Sequence, residues 1–534
     1  QSIRRRRADS ALLHSFVSGV YGIADVSERR TMKDLYRWTT EIRPRLADSK
    51  VRRWILLVAY IFTTYLVGLG NHGLLEPDEG RYSNMAMEFL EPDHGWLEPS
   101  LSDVNHYDKP PLIYWVTGGA FSLFGLNEFA ARLPSFIGSL LALAGVFLIS
   151  FQLYGERGAW WATLACASTL QFWLLGRLLS PDMLMCGLCT LGVGLIFWGD
   201  RRQKSWIWWG LGAVVWSLAW WTKATASLVP LAALAVSLFL TSRKDLLGQL
   251  RPFRLLLVIL VAGSPWYILM MTTHEELVRF FLDRELVGRV VGHEDGRTGF
   301  PGYHFVAAIA LWLPWWPWAV SYVWKVVRGE GAWRTRLRNV PFEFIAAALV
   351  LVIFSSISSR LITYTLTGVP LLAIGVGGIF REKLFSFGRA EGRWILVGLC
   401  IVVAVPLIMP RIEASLGVNS STRKVVEISR SLGAEGWICD RFLPGLEFYG
   451  GESVWFVNVK SLVQVETSFQ QYPHEHFLSP EEAQKLVSTS SAAIWLVQTK
   501  KEMPDWMKAL LSQSGASSEL PVEVGSFRLW KLKK

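Results

Sequence analysis

Glu76-Pro-Asp-Glu-Gly-Arg-Tyr82, read together with Tyr107-Asp-Lys-Pro-Pro111, lies between the first two long apolar runs and decides how the rest of the chain is read. Pro77 suits the start of a helix, and Asp78 can cap backbone N–H groups there. Tyr82, Met85, Ala86, Phe89 and Leu90 then follow the i, i+3, i+4, i+7, i+8 spacing of one helical face. The pattern predicts a short helix along a membrane surface with a carboxylate at its head. Lys109 precedes Pro110, which disfavours helix at Lys109 and fits the first turn of the next span. An acid and a base are thus placed at one membrane–water boundary.

The chain has 534 residues, of which 51% are hydrophobic and only 18% charged. Apolar runs near 54–74, 111–126, 133–153, 158–177, 183–199, 206–221, 225–241, 254–272, 303–324, 341–357, 361–380 and 393–410 approach the roughly 20 residues that cross a bilayer core. The chain is therefore read as mainly α, a polytopic membrane helical bundle. Its 27 Trp fit the headgroup zone, with pairs such as Trp220-Trp221 and Trp315-Trp316 near span ends. The net charge of +10 does not point to nucleic acid, because its basic residues cluster in short loops between spans. Cys186-x-x-Cys189 lies inside an apolar run and reads as packing rather than redox chemistry or zinc.

Four loops are strongly basic: Arg201, Arg202 and Lys204; Arg243, Lys244, Arg251 and Arg254; Lys325, Arg328, Arg334, Arg336 and Arg338; Arg381, Lys383, Arg389 and Arg393. Positive charge favours the cytoplasm, which places these loops and the basic arm 1–50 inside. Loops 75–110 and 273–302, Asp182 and the segment after 410 then fall outside. An even number of crossings must separate Lys109 from Asp182, yet three runs lie between them. The count is therefore eleven or thirteen spans, with thirteen favoured. Residues 51–410 form the membrane domain, and 411–534 read as a small outer α/β domain. Its expected helices are Ser479–Ser488 and Asp505–Gln513; its expected strands are Val454–Val459, Ala492–Val497 and Phe527–Leu532.

Asp78 and Asp182 converge on the outer face with Arg81 and Lys109 close by. Carboxylates can activate a hydroxyl, and cations can hold a phosphate as it leaves. The plain alternatives are helix caps for Asp78 and Asp182 and a snorkelling lysine for Lys223. Arg360 and Tyr364 form a further outer group, spaced i, i+4 as on one helix face. A transporter would place ionisable groups within its spans or along a central path, whereas the informative charges here crowd one boundary.

Residues 54–410 resemble the GT-C membrane glycosyltransferases that use polyprenyl-phosphate sugars. They are similar to bacterial lipid A aminoarabinose transferases and, more distantly, to protein O-mannosyltransferases. The resemblance rests on Glu76–Tyr82, Tyr107–Trp115, Ala131-Arg-Leu-Pro-Ser135, Leu179-Ser-Pro-Asp182, Trp221-Thr-Lys223 and Arg360 through Tyr364. It implies an undecaprenyl-phosphate-linked sugar donor and an acceptor hydroxyl or phosphate, on lipid A or another envelope glycolipid or glycan. The alternatives are a protein O-glycosyltransferase of the same family and a lipid-sugar flippase. It further implies a multi-pass bacterial inner-membrane protein whose site and C-terminal domain face the periplasm. Asp78 and Asp182 match the family's acidic residues, with Asp78 thought to act in catalysis. Arg81, Tyr82, Lys109, Arg289 and Tyr364 match donor-phosphate positions, and Arg360 stands where the aminoarabinose transferases commonly have lysine. Glu79, Asp108 and Lys223 support them. No cofactor is required by these residues, and a divalent metal is left open.

The sidedness has a direct check. Single cysteines placed near residues 95 and 480 are expected to react with an impermeant thiol reagent on intact spheroplasts. Labelling of either only after lysis reverses the assignment.

Overall fold

The computed structural model describes residues 49–91, 95–102, 104–199, 205–283, 300, 302–330, 332–357, 360–381, 421–457, 476–499, 502–515 and 520–532. The basic arm, Arg289 and most of the 273–302 loop lie outside the described residues, as does the run near 393–410. The chain divides into two units at Thr63 and Thr64. Helix α1 (Ser49–Tyr65) makes up the described part of the first, and Ile55, Leu56, Val58 and Phe62 lie exposed on it, as lipid-facing side chains do.

In the second unit, α2 (Asp78–Glu88) leads into the antiparallel pair β1 (Ser100–Leu101) and β2 (Val104–Asn105). Then come α3 (Leu112–Phe124) and α4 (Glu128–Ala167), which is broken at Gly155 into two helices. Asn127 starts α4 by accepting the Ala130 N–H. Helices α5 (Pro181–Gly199), α6 (Ser205–Lys223) and α7 (Leu228–Leu240) continue the bundle. After α8 (Tyr303–Leu311) and α9 (Trp316–Val327) come α10 (Phe342–Ser355) and α11 (Gly368–Phe380).

Helices α4, α5, α6 and α11 pack closely, and small residues permit it. A Cβ added at Gly138 of α4 would lie 2.8 Å from the Leu184 Cα of α5, so only hydrogen fits there. Cys186 and Cys189 lie buried on the same helix as free thiols, in keeping with packing.

Among the described residues, four helices are long and apolar enough to cross a membrane, or six if two sharply bent pairs each count as one span. Several apolar runs are cut into pieces among the described residues, and the run near 393–410 lies outside them, so this number and the expected eleven or thirteen crossings are not counts of the same thing. The run 303–324 is one, folding by 113° between α8 and α9.

The later part of the chain carries a six-stranded sheet. It is built from β3 (Gly436–Cys439), β4 (Val454–Val457), β5 (Phe477–Leu478), β6 (Ile494–Gln498), β7 (Val522–Val524) and β8 (Phe527–Lys531). Strand order is β5-β4-β3-β6-β8-β7, parallel through the first four and antiparallel at β8 and β7. Helices α12 (Arg423–Ser431) and α13 (Pro444–Gly450) flank β3 in sequence, and α13 packs on α2. Helices α14 (Pro480–Thr489) and α15 (Asp505–Gln513) stand where expected, α14 opening on a capping box at Ser479 and Glu482.

One buried fork ties the loop before α2 to the bundle. Arg132, fully buried on α4, donates from Nε to Glu79 Oε1 at 2.9 Å and from Nη2 to Oε2 at 2.8 Å. Its Nη1 reaches the Leu69 and His72 carbonyls at 2.9 Å, and Nη2 the Gly73 carbonyl at 3.0 Å. Arg132→Ala leaves Glu79 buried and unpaired, so a loss of roughly 3–5 kcal/mol of stability is expected. Arg132→Lys recovers only part, because one ammonium cannot reproduce the planar fork. Thermal unfolding of the detergent-solubilised protein reads both.

Candidate active site

Helix α2 does not lie bare on a membrane surface. Tyr82, Met85, Ala86 and Phe89 are buried as the spacing predicts, whereas Leu90 stays exposed. Phe89 stacks on Tyr114 of α3 with ring centroids 5.8 Å apart, and α13 covers another side of α2. Helix α2 is therefore held from two directions, with Asp78 at its head.

At that head lies a cavity of about 330 Å³. It brings together Asp78, Asp182, Arg81, Tyr82, Lys109, Tyr364, Glu79, Asp108 and Lys223. Glu76, Ser180, Tyr303 and Thr363 also line it, with Leu75, Leu175, Leu178, Leu179, Leu361 and Ile362 as apolar wall. Arg360 is not on this wall. It is half-buried next to Leu361, and its Nε and Nη1 have no hydrogen-bond partner among the described residues. Tyr364 sits in a 3₁₀ turn (Ile362–Thr367) that begins after Arg360, so the two do not share an α-helical face as their spacing suggested.

Three carboxylate–cation pairs rim the cavity. Arg81 meets Asp78 at 3.0 Å, Lys109 meets Asp108 at 2.8 Å, and Lys223 meets Asp182 at 2.7 Å. The last two pairs are almost wholly buried, whereas the Asp78 side chain is 64% exposed. Burial works against the charge on Arg81, but Tyr82, Asp108 and Asp78 outweigh it and hold the guanidinium above its usual range. Burial also pushes the Tyr82 phenol up. At Glu79 burial likewise favours the neutral form, yet Arg132 outweighs it and keeps the carboxyl below its usual range.

Two plain alternatives fail on this geometry. Among the described residues Asp78 makes no cap hydrogen bond; its carboxylate is engaged by Arg81 one turn on. Lys223 does not snorkel, because its ammonium is buried against Asp182 and lies 4.7 Å from the Tyr364 ring centroid. Asp182 does stand in the first turn of α5, where Ser180 Oγ accepts its backbone N–H at 3.2 Å. Ser180, not Asp182, makes that cap-like contact.

Arg132 is the residue sequence reasoning passed over, although it lay inside Ala131–Ser135. An arginine embedded in an apolar run signals a buried partner by itself. The sequence leaves a divalent metal open; among the described residues no group of three or more His, Cys, Asp or Glu is placed to hold one.

Residues 108–269 match the family described as dolichyl-phosphate-mannose-protein mannosyltransferase. Over 358 residues the chain is 25% identical to an undecaprenyl phosphate-alpha-4-amino-4-deoxy-L-arabinose arabinosyl transferase of Shewanella sediminis, covering 66% of this chain and 63% of that protein. A Pseudomonas fluorescens protein of the same name is 26% identical over 420 residues, 73% of this chain and 71% of its own. The matches to the Shewanella protein and to a Pseudomonas aeruginosa relative span 63% and 61% of those relatives' length, under two thirds. Among solved structures, ArnT from Cupriavidus metallidurans superposes with a TM-score of 0.68 at 19% identity, over 89% of this chain and 97% of that one.

The class is thereby defined: the chain has the GT-C-type fold of ArnT, a membrane-protein fold. Its particular likeness is to the undecaprenyl phosphate-aminoarabinose transferases, as the motifs implied.

Proposed function

We propose that this chain is a polyprenyl-phosphate-sugar-dependent glycosyltransferase. On this reading it moves a sugar from undecaprenyl phosphate to a hydroxyl or phosphate of lipid A or another envelope glycolipid or glycan. The observation that carries the proposal is the set of three acid–cation pairs around one cavity with a leucine-rich wall. Such a wall suits a lipid carrier, and such cations suit its phosphate. The relatives named for undecaprenyl-phosphate-linked transfer support the donor, as does an ArnT structure bound to undecaprenyl phosphate.

The chemistry asks little of the protein. Polyprenyl phosphate is already a good leaving group, so the enzyme must hold its charge and aim a hydroxyl at the sugar's C1. Arg81 and Lys109 hold the departing phosphate, with Tyr82 shaping its seat. Asp78 takes the acceptor proton. Among the described residues its Oδ1 engages Arg81 and its Oδ2 makes no hydrogen bond. Asp182 and Lys223, fixed to each other, set the opposite wall and orient the sugar. Glu79 and Asp108 hold Asp78 and Lys109 in place, while Tyr364 packs on Lys223. Arg360 and Arg289 are assigned to the donor on family likeness alone. Attack opposite the phosphate inverts the anomeric centre.

The same reading places the site on the periplasmic face of the bacterial inner membrane. Thirteen crossings, a cytoplasmic arm 1–50, a membrane domain 51–410 and a periplasmic segment 411–534 belong to it. A protein hydroxyl is the second acceptor reading, favoured by the description of the family that matches residues 108–269.

Two variants test the roles. Asp78→Asn keeps the side-chain shape but cannot take a proton, so it should still bind lipid donor while turnover falls by about 10²–10⁴. Near-normal sugar transfer by the folded variant removes Asp78 from the mechanism. Lys109→Ala should weaken donor use by roughly 1.5–3 kcal/mol, the range of a lost charge-assisted hydrogen bond. Donor titration with purified protein measures it, and an unchanged donor dependence rejects the role.

A further inference from the structure

Glu76 opens the motif on which the chain was read, yet the mechanism above leaves it unused. Its carboxyl lines the cavity wall and at the same time meets the segment 421–450. The Thr422 hydroxyl donates to Glu76 Oε1 at 3.3 Å across 346 residues of chain. The other oxygen, Oε2, is shut off from solvent and has no hydrogen-bond partner among the described residues.

Two glycines form the walls of this seat. A Cβ added at Gly445 would run into Glu76 Oε1, and one at Gly80 would lie 2.7 Å from Oε2 and 2.6 Å from the Gly445 nitrogen. The loop and the segment thus approach closely enough that a single methyl on either side displaces the carboxyl.

Two more links run between the same parts of the chain. The Leu74 N–H donates to the Tyr449 hydroxyl at 2.8 Å, and Ser102 Oγ donates to Glu447 Oε2 at 2.5 Å. Tyr449 in turn donates to Glu128 of α4 at 2.9 Å. Residues on both sides of Asp78 are therefore anchored to α13 and its flanks.

We propose that Glu76 is a positioning residue: its carboxyl latches the Asp78-bearing loop to the 421–450 segment, and the latch fixes the cavity for a polyprenyl phosphate headgroup. The headgroup part rests on the function proposed above; the latch itself does not.

The latch works in its neutral form. Burial is the largest influence on the carboxyl; the Gly445 amide, Thr422 and Arg441 oppose it, Glu79 adds to it, and the proton is held up to about 8. The buried Cys439 thiol is a further titratable group within its field. A carboxyl that keeps its proton to about 8 when folded but releases it near 4.5 when unfolded stabilises the fold at low pH. That contribution declines as pH rises between the two values. Above about 8 the seat must hold a charge on a carboxylate whose Oε2 has no hydrogen-bond partner among the described residues.

The test uses the full-length protein in detergent, with undecaprenyl phosphate as the binding probe and hydrogen exchange as a second readout. The parent is expected to bind the probe about tenfold more weakly at pH 9 than at pH 7, one decade for the pH unit above the folded titration point. Glu76→Gln, neutral at every pH and of the same shape, should bind well at both. Glu76→Ala and Gly445→Ala should bind weakly throughout, and residues 75–90 and 421–450 should lose exchange protection together. An alkaline loss in Glu76→Gln equal to the parent's overturns the latch, and this arm stands even if the alanine variants do not fold. Protection lost in 75–90 alone also overturns it. If the parent binds no probe at any pH, the donor assignment fails, and the exchange results alone decide the latch.

Discussion

The fork between Arg132 and Glu79 is the constraint on which the rest of the site depends. Glu79 accepts four hydrogen bonds: two from Arg132, one from the Leu179 N–H at 2.7 Å and one from the Leu75 N–H at 3.0 Å. A single carboxylate therefore joins the loop before α2, helix α4 and the turn that precedes α5. Asp78 is the next residue on one side, and Asp182 lies three residues beyond Leu179 on the other. The two acids share a cavity because both hang from one buried ion pair. Such a pair recovers little net energy after desolvation, and its value here is geometric.

Around that anchor the charges nearly balance. Arg81, Lys109 and Lys223 each face a carboxylate of the same cavity. Paired cations need less reorganisation to stay buried than unpaired ones would, and they keep fixed directions. The pairs differ in exposure: the two buried ones act as fixed walls, and the Asp78–Arg81 pair is the one open to solvent.

Much of this was legible in the sequence because it is local. The buried face of α2 follows from the spacing of Tyr82, Met85, Ala86 and Phe89, and α14 from its Ser479-Pro480 start. Asp78, Lys109 and Asp182 stood out because they sit at the edges of apolar runs on the side opposite the basic loops. Pairing was not legible, since Lys223 and Asp182 are 41 residues apart and nothing local distinguishes a buried lysine from a snorkelling one. Arg360 and Tyr364 misled for the opposite reason: a spacing that fits an α-helix sits across the start of a 3₁₀ turn. Hydropathy reads the length of an apolar run and not whether the backbone continues straight, as the bend between α8 and α9 shows, so runs and straight helices are different counts.

The docking of α13 on α2 also has a consequence in time. Leu74 and Tyr449 are separated by 375 residues, so the hydrogen bond between them cannot form while the chain is still emerging from the ribosome at its helical middle. The residues that line the cavity, the last of them Tyr364, are made before this contact becomes available. A nascent chain can thus hold the residues of the cavity wall while the support that α13 gives to the neighbouring loop has yet to arrive.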